Sequence, residues 1–207
     1  ANFEAFLAER PADAPFHFWF GAYEPHRSYQ KGWGRELGKD PANVRVPRFL
    51  PDTPEMREDM LDYYAEIEWF DRHLGRMIAT LERIGELENT VIIVSSDNGM
   101  PFPRAKANLY EHGTHVPMAV RWPGIVAPES TTENLASFVD IAPTVLGAAG
   151  VVVPETMVGQ SLVHGSEPRA FVLTGRERHT HARYDNLGYP GRAIRTKDHL
   201  HIWNVKP

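Results

Sequence analysis

A chain of 207 residues with 42% hydrophobic and 24% charged residues can bury a real core, which excludes a disordered tail, a coiled-coil rod and a disulfide-stapled miniprotein. Its formal charge of −5 predicts no basic surface for nucleic acid or an anionic membrane. Cysteine is absent, which removes disulfides, thiolate metal sites and a cysteine nucleophile while leaving the redox compartment open. No apolar run approaches the roughly 20 residues that span a bilayer. The opening ANFEAFLAERPADAP is not a signal peptide, and the chain stops at HIWNVKP, just after a strand-like run. Both ends read as cut.

In chain order, residues 3–10 read as the last turns of a helix closed by Pro11. Residues 16–23 (FHFWFGAY) lie between Pro15 and Pro25 and read as a buried strand. Residues 24–51 are irregular, with Pro25, Pro41, Pro47 and Pro51, and a loop of this length in a small domain is more often a binding or lid element than a connector. Next, Met56, Met60, Tyr63, Ile67, Phe70, Leu74, Met77, Leu81 and Ile84 recur at spacings of four and three, the pattern of an amphipathic helix. Thr53 suits its cap, Pro54 its first position and Gly85 its stop. Glu58, Asp62, Glu66, Arg72, Arg76 and Arg83 lie on the opposite face.

The apolar, β-branched run 90–95 predicts a strand covered on both faces of a parallel sheet. Further strands are predicted at 116–122 and 170–174, a short helix at 140–149, and a hairpin from 192–196 and 200–203. This alternation predicts an α/β fold with a mostly parallel central sheet flanked by helices. The final hairpin would belong to a small antiparallel sheet.

Asp97 and Asn98 follow the 90–95 strand at its carboxyl end, where open α/β sheets bind ligands. A carboxylate next to an amide oxygen suits Ca²⁺ or Mg²⁺ better than zinc, although Asn98-Gly99 also makes an ordinary turn. His26, in Glu24-Pro25-His26-Arg27, leaves the FHFWFGAY segment where it could donate to an anion or protonate a leaving group; a plain surface histidine is the alternative. Lys106 sits in a Gly/Pro-punctuated loop near the Asp-Asn pair and could neutralise an oxyanion, or simply be solvated. His112 and His115 are three apart without a third ligand at suitable spacing, so structural or substrate-contact roles are preferred for both.

The order PHR, long helix, VIIVSSDNG, a lysine, Y-E-x-G-T-x-V-P, a strand ending W-P-G, and Asp140-Ile141-Ala142-Pro143-Thr144 resembles the middle and rear of the sulfatase family, within the alkaline-phosphatase-like superfamily. SSDNGMPFPRAKANLY, with Gly188-Tyr189-Pro190 and RAIRT, is most similar to the N-sulfoglucosamine sulfohydrolase branch and its bacterial relatives. The resemblance runs from Pro15 to about Trp203 and implies hydrolysis of sulfate esters or sulfamates of carbohydrates. It implies a formylglycine nucleophile and one divalent cation, usually Ca²⁺, with Mg²⁺ as the substitute. By position, Asp97 and Asn98 would be metal ligands, and Lys106 would contact the sulfate and its leaving oxygen. His26 would bind sulfate and assist departure, and His179 would touch the sugar. Residues 1–175 would form the rear of the catalytic core and 176–207 the start of a C-terminal segment. Relatives are exported or lysosomal.

The family's Cys/Ser-x-Pro-x-Arg nucleophile motif has no counterpart here, since cysteine is absent and no serine begins that pattern. The resemblance therefore implies an internal fragment that hydrolyses little or nothing alone. Two readings compete with it. One is a phosphate or phosphonate ester hydrolase of the same superfamily. The other is a non-catalytic remnant that binds a glycan or complements a partner polypeptide.

Overall fold

In the computed structural model, which describes residues 2–11, 13–163, 167–179 and 184–206, the chain divides into two units, Ala1–Asn89 and Thr90–Pro207. The first unit contains α1 (Asn2–Glu9), α2 (Trp33–Glu36) and the long α3 (Pro54–Arg83). The caps of α3 follow the sequence closely. Thr53 Oγ1 accepts from the Met56 amide at 3.3 Å, and Pro54 fills the first position. At the other end Gly85 takes a φ of 76°. The Glu86 amide donates to Leu81 O at 2.9 Å and the Gly85 amide to Glu82 O at 3.0 Å, the paired bonds of a Schellman stop.

Residues 16–23 are not the predicted strand. Phe16 and Phe18 pack on Phe6, with ring centroids 6.0 and 5.0 Å away. Phe20 stacks on Phe70 of α3 at 5.7 Å, while Trp19 between them is 79% exposed. The period-two alternation is real, but the segment joins no backbone ladder among the described residues. Helices cover its apolar side, and alternation reports a covered face without reporting a hydrogen-bonded neighbour.

A second correction concerns Asp62, placed by its helical position on the polar face of α3. It is only 4% exposed and accepts from the amides of Gly32 at 2.9 Å and Gly34 at 2.8 Å. The face opposite the apolar stripe meets the 24–51 segment there, not water. Arg57 donates to Pro41 O at 2.8 Å and Val44 O at 3.2 Å while pairing with Asp52. Arg27 pairs with Asp59, Arg35 with Glu58 and Lys39 with Glu68. Exposed pairs contribute about 0–1 kcal/mol each, so the strap depends mainly on the buried Asp62 and on Arg57. The charge-assisted hydrogen bonds accepted by the buried Asp62 each stabilise by roughly 1.5–3 kcal/mol.

One carboxylate of this face works against folding. Burial, with Glu24 and Asp62 nearby, raises the Glu66 pKa above its ordinary 4.5. A raised carboxylate costs stability at neutral pH, and the cost fades as pH falls through the folded value to the unfolded one. Glu66→Gln should therefore raise the thermal unfolding midpoint at pH 7, with no gain left below the ordinary value. Melts of both proteins across that range check it; a lower midpoint at pH 7 would contradict the assignment.

The second unit holds β1 (Ile92–Ser95), α4 (Glu111–Thr114), β2 (Met118–Arg121) and α5 (Ile141–Ala148), then β3 (Val172–Arg176), β4 (Gly191–Arg195) and β5 (Leu200–Asn204). β1 pairs with β2 from Ile92↔Arg121 to Ser95↔Met118, antiparallel. The C-terminal hairpin forms as β4 and β5, and β3 joins it to give an antiparallel sheet ordered β3-β4-β5. The mostly parallel sheet is thus a correction: every ladder among the described residues is antiparallel. An apolar run encodes coverage of a strand, while partner direction is decided by how the chain returns. β1 is half-buried along its length, rather than covered on both faces.

The Asp140-to-Thr144 motif acts as a clamp. Asp140 is 2% exposed. Its carboxylate accepts from the Ser137 amide at 2.8 Å, from the Gln160 amide at 2.8 Å and from the Arg169 guanidinium. Thr144 Oγ1 donates to Asp140 O at 2.6 Å and accepts from the Leu162 amide at 2.9 Å. The residues near 160 are pinned to α5 through two side chains. Among the described residues, no helix is long and apolar enough to cross a membrane.

Candidate functional site

The site is built from the excursion between β1 and β2. Ser95 Oγ donates to Pro117 O at 2.9 Å, closing the neck of the loop. Ser96 Oγ donates to Asn98 O at 2.8 Å, and the Gly99 amide donates to Gly113 O at 3.1 Å. A Cβ on Gly99 would meet His112 O at 1.8 Å, so only glycine permits this crossing of the two loop arms.

Asp97 is exposed and Asn98 half-buried. The Asn98 amide nitrogen donates to Asp97 Oδ1 at 2.6 Å, which holds the two side chains side by side. The donor set, one carboxylate and one amide oxygen, fits a hard cation such as Ca²⁺ or Mg²⁺ and supplies two of the 6–8 oxygens calcium takes. Neither here nor elsewhere among the described residues do three or more His, Asp and Glu gather in a form that could hold a metal by themselves.

Lys106 is reached a few residues on. Its amide donates to Met100 O at 3.0 Å, and its carbonyl accepts from Asn108 Nδ2 at 3.1 Å. Phe102 and Ala105 are buried beneath, with 4% and 0% exposure. Arg104 and Ala107 adopt left-handed φ values of 62° and 65°. The backbone at Lys106 is therefore fixed on both sides, while its side chain forms no ion pair with a described carboxylate. Asp97, Asn98 and Lys106 all lie in this loop, within the second unit.

His26 belongs to the first unit and is exposed. Its amide donates to Tyr23 O at 2.9 Å, and its ring lies 5.1 Å from the Tyr23 ring. Nδ1 is 2.6 Å from Arg27 O. A carbonyl only accepts, so Nδ1 carries the proton, and Nε2 accepts in the neutral ring or donates in the charged one. Tyr23 OH also donates to Arg27 O, at 2.9 Å, and Arg27 is anchored on Asp59. Half-buried nearby, the Tyr29 phenol has its pKa raised chiefly by desolvation, which keeps it protonated.

His179 lines a cavity of about 380 Å³ together with Arg176, Arg178, Tyr189, Ala107 and Asn108. The last two directly follow Lys106, so this cavity adjoins the candidate lysine loop. Sequence reasoning singled out His179 but not the two arginines that line this cavity with it; the Arg176-Glu177-Arg178 run just beyond the predicted 170–174 strand was the available signal. Of the other histidines, His115 Nδ1 contacts Glu111 Oε1 at 2.8 Å, and Glu111 Oε2 accepts from Arg195 at 2.6 Å. These contacts join α4 to the C-terminal sheet.

Comparison with known proteins identifies the family. Over 173 residues the chain is 34% identical to the ulvan-active sulfatase of Formosa agariphila, covering 83% of this chain and 28% of that protein. It is 27% identical over 232 residues to the N-sulphoglucosamine sulphohydrolase of Homo sapiens, covering 93% of this chain and 44% of that protein. A solved protein in complex with its substrate, D-glucosamine-2-N,6-O-disulfate, superposes with a TM-score of 0.60 at 26% identity, over 72% of this chain and 34% of its own. A second solved chain, from work on glycosaminoglycan metabolism by Bacteroides thetaiotaomicron, shares the fold with a TM-score of 0.77 at 24% identity, over 94% of this chain and 45% of its own. The chain spans less than half the length of each of these relatives. With the sulfatase family model matching residues 1–151 as well, the chain belongs to the sulfatase family.

Proposed function

We propose that the complete protein hydrolyses sulfate esters or sulfamates of carbohydrates, and that these 207 residues supply part of its cation site and its anion-stabilising groups. The observation that supports this reading best is that the loop between β1 and β2 carries both the Asp97–Asn98 pair and Lys106, whose backbone is fixed on both sides and whose side chain has no carboxylate partner among the described residues. A lysine so placed is available to an incoming anion. The names of the relatives point to sulfated glycans and sulfamated glucosamine as substrates.

In this reading Asp97 and Asn98 hold a divalent cation, Ca²⁺ or Mg²⁺, which when bound opposes the negative charge of the sulfate oxygens. Lys106 Nζ donates to the sulfate and to the oxygen or nitrogen that leaves with the sugar. Charge growing on that atom meets a fixed cation, which is the electrostatic form of rate enhancement. His26, with Nδ1–H held by Arg27 O, offers Nε2–H in its protonated form to the departing group. His179 contacts the sugar. The nucleophile is a formylglycine, for which this chain contains no cysteine and no Ser-x-Pro-x-Arg. We further propose residues 1–175 as the rear of the catalytic core and 176–207 as the start of a C-terminal segment.

The test is sulfate release by the full-length protein on a panel of O-sulfated and N-sulfated sugars. Lys106→Ala should lower kcat by on the order of 10²-fold or more, as for lost oxyanion stabilisers, while Lys106→Arg retains part of the rate. Absence of sulfate release across the panel, or an unchanged Lys106→Ala enzyme, would overturn the reading.

A further inference from the structure

Four arginines of the C-terminal sheet region differ in how they are neutralised. Arg192 pairs with Glu177, and Arg195 pairs with Glu111 at 2.6 Å. Arg176 and Arg178 have no such partner among the described carboxylates. Arg176 Nε is buried with no hydrogen-bond acceptor among the described residues, and its guanidinium carbon lies 4.8 Å from the centroid of the Tyr189 ring. Arg178 Nη2 donates to the neutral Asn186 Oδ1 at 2.8 Å. Glu177, the carboxylate between them in sequence, is engaged by Arg192.

Both unpaired arginines line the cavity of about 380 Å³ that also holds His179 and Tyr189. This volume lies within the usual range for a small ligand. Two guanidinium groups without a carboxylate partner among the described residues are available to an anion that enters the cavity. Guanidinium forks match carboxylate and sulfate oxygens in pairs, which an ammonium does not. The tyrosine ring gives the cavity a flat apolar wall suited to the C–H face of a sugar. Ala107 and Asn108 also line it, and Asn108 Nδ2 donates to the Lys106 carbonyl. A molecule whose sulfate meets Lys106 therefore has this cavity beside it.

We propose that the Arg176–Arg178 cavity binds a second anionic group of the substrate, an oxyanion carried on a sugar next to the sulfate that is cleaved. The full-length enzyme thereby selects saccharides with at least two negative charges. The inference rests on the reading of Lys106 as the residue that contacts the scissile sulfate. A second sulfate and a neighbouring uronate carboxylate share the required chemistry.

Three probes separate these sources: glucosamine 6-sulfate, glucosamine 2-N,6-O-disulfate, and a disaccharide of a uronate with 6-sulfated glucosamine. Sulfate release by the full-length protein should show a KM roughly tenfold lower for one doubly anionic probe than for the singly sulfated one. Arg176→Gln and Arg178→Gln should each raise that KM roughly tenfold, leave its kcat within about twofold, and leave the singly sulfated probe unaffected. Whichever probe responds identifies the anion. No discrimination by the unmodified enzyme, or an equal loss on all probes in the variants, overturns the proposal while the sulfatase reading stands. If no probe is hydrolysed, calorimetric titration of the disulfate and the disaccharide decides the cavity separately. Binding of either one weakened roughly tenfold by Arg178→Gln supports the cavity without the hydrolysis; binding of both that is equal or absent overturns it.

Discussion

Asp97→Ala should abolish sulfate release by the full-length protein, with a loss larger than that of any other single change considered for the loop between β1 and β2. Asp97 is the one carboxylate beside Asn98, held there by the 2.6 Å bond from the Asn98 amide. A neutral amide oxygen alone is a poor ligand for a hard cation that takes 6–8 oxygens. Removing the carboxylate also frees the Asn98 side chain to rotate, so both donors are lost together. The measurement has two parts. Turnover on a sulfated sugar should vanish in Asp97→Ala, and Ca²⁺ or Mg²⁺ should raise the thermal midpoint of the unmodified protein but not that of Asp97→Ala. Unchanged turnover would remove Asp97 from the metal site. Unchanged cation-dependent stabilisation with lost turnover would place its role elsewhere in the reaction.

The second large effect falls on stability. Asp140→Ala leaves a guanidinium and two amides without their shared acceptor, in a place where Asp140 itself is 2% exposed. Breaking a buried ion pair from one side costs about 3–5 kcal/mol, because the remaining charge stays desolvated. The loss should be local first. Amide exchange at Gln160 and Leu162 should accelerate before the global transition, since Asp140 and Thr144 hold those two amides. Asp140→Asn, which keeps one acceptor oxygen but no charge, should lose less. Denaturant unfolding and hydrogen exchange on the full-length protein check both statements. A neutral Asp140→Ala would mean that residues near 160 are held by other contacts, such as the packing of Gly159 against Val139.

Several elements were legible because their causes are local. Thr53, Pro54 and Gly85 announced both ends of α3, since capping involves groups within four residues of each other. The hairpin of β4 and β5 was legible for the same reason. The loop carrying Asp97, Asn98 and Lys106 could be read because residue type, order and the turn at Asn98-Gly99 all lie in one stretch of chain. The resemblance to sulfatases rested on that order too.

Other features depended on what the chain folds against. Asp62 has the helical phase of a solvated residue, yet the 24–51 segment crosses it and two of its amides need an acceptor. Asp140 belonged to a motif whose order was visible, but its partners stand 3, 20 and 29 residues away. Phe16, Phe18 and Phe20 alternate as in a strand, and only packing against Phe6 and Phe70 disclosed a covered face without a ladder. Sequence alone determined the two ends of α3, the presence of the C-terminal hairpin, the residue types of the Asp97–Asn98–Lys106 loop and the family it resembles, because these follow from neighbouring residues. Only the tertiary structure decided the antiparallel pairings, the burial of Asp62 and Asp140, and the lack of a carboxylate partner for Arg176 and Arg178 among the described residues, because burial and charge partnership are set by residues distant along the chain.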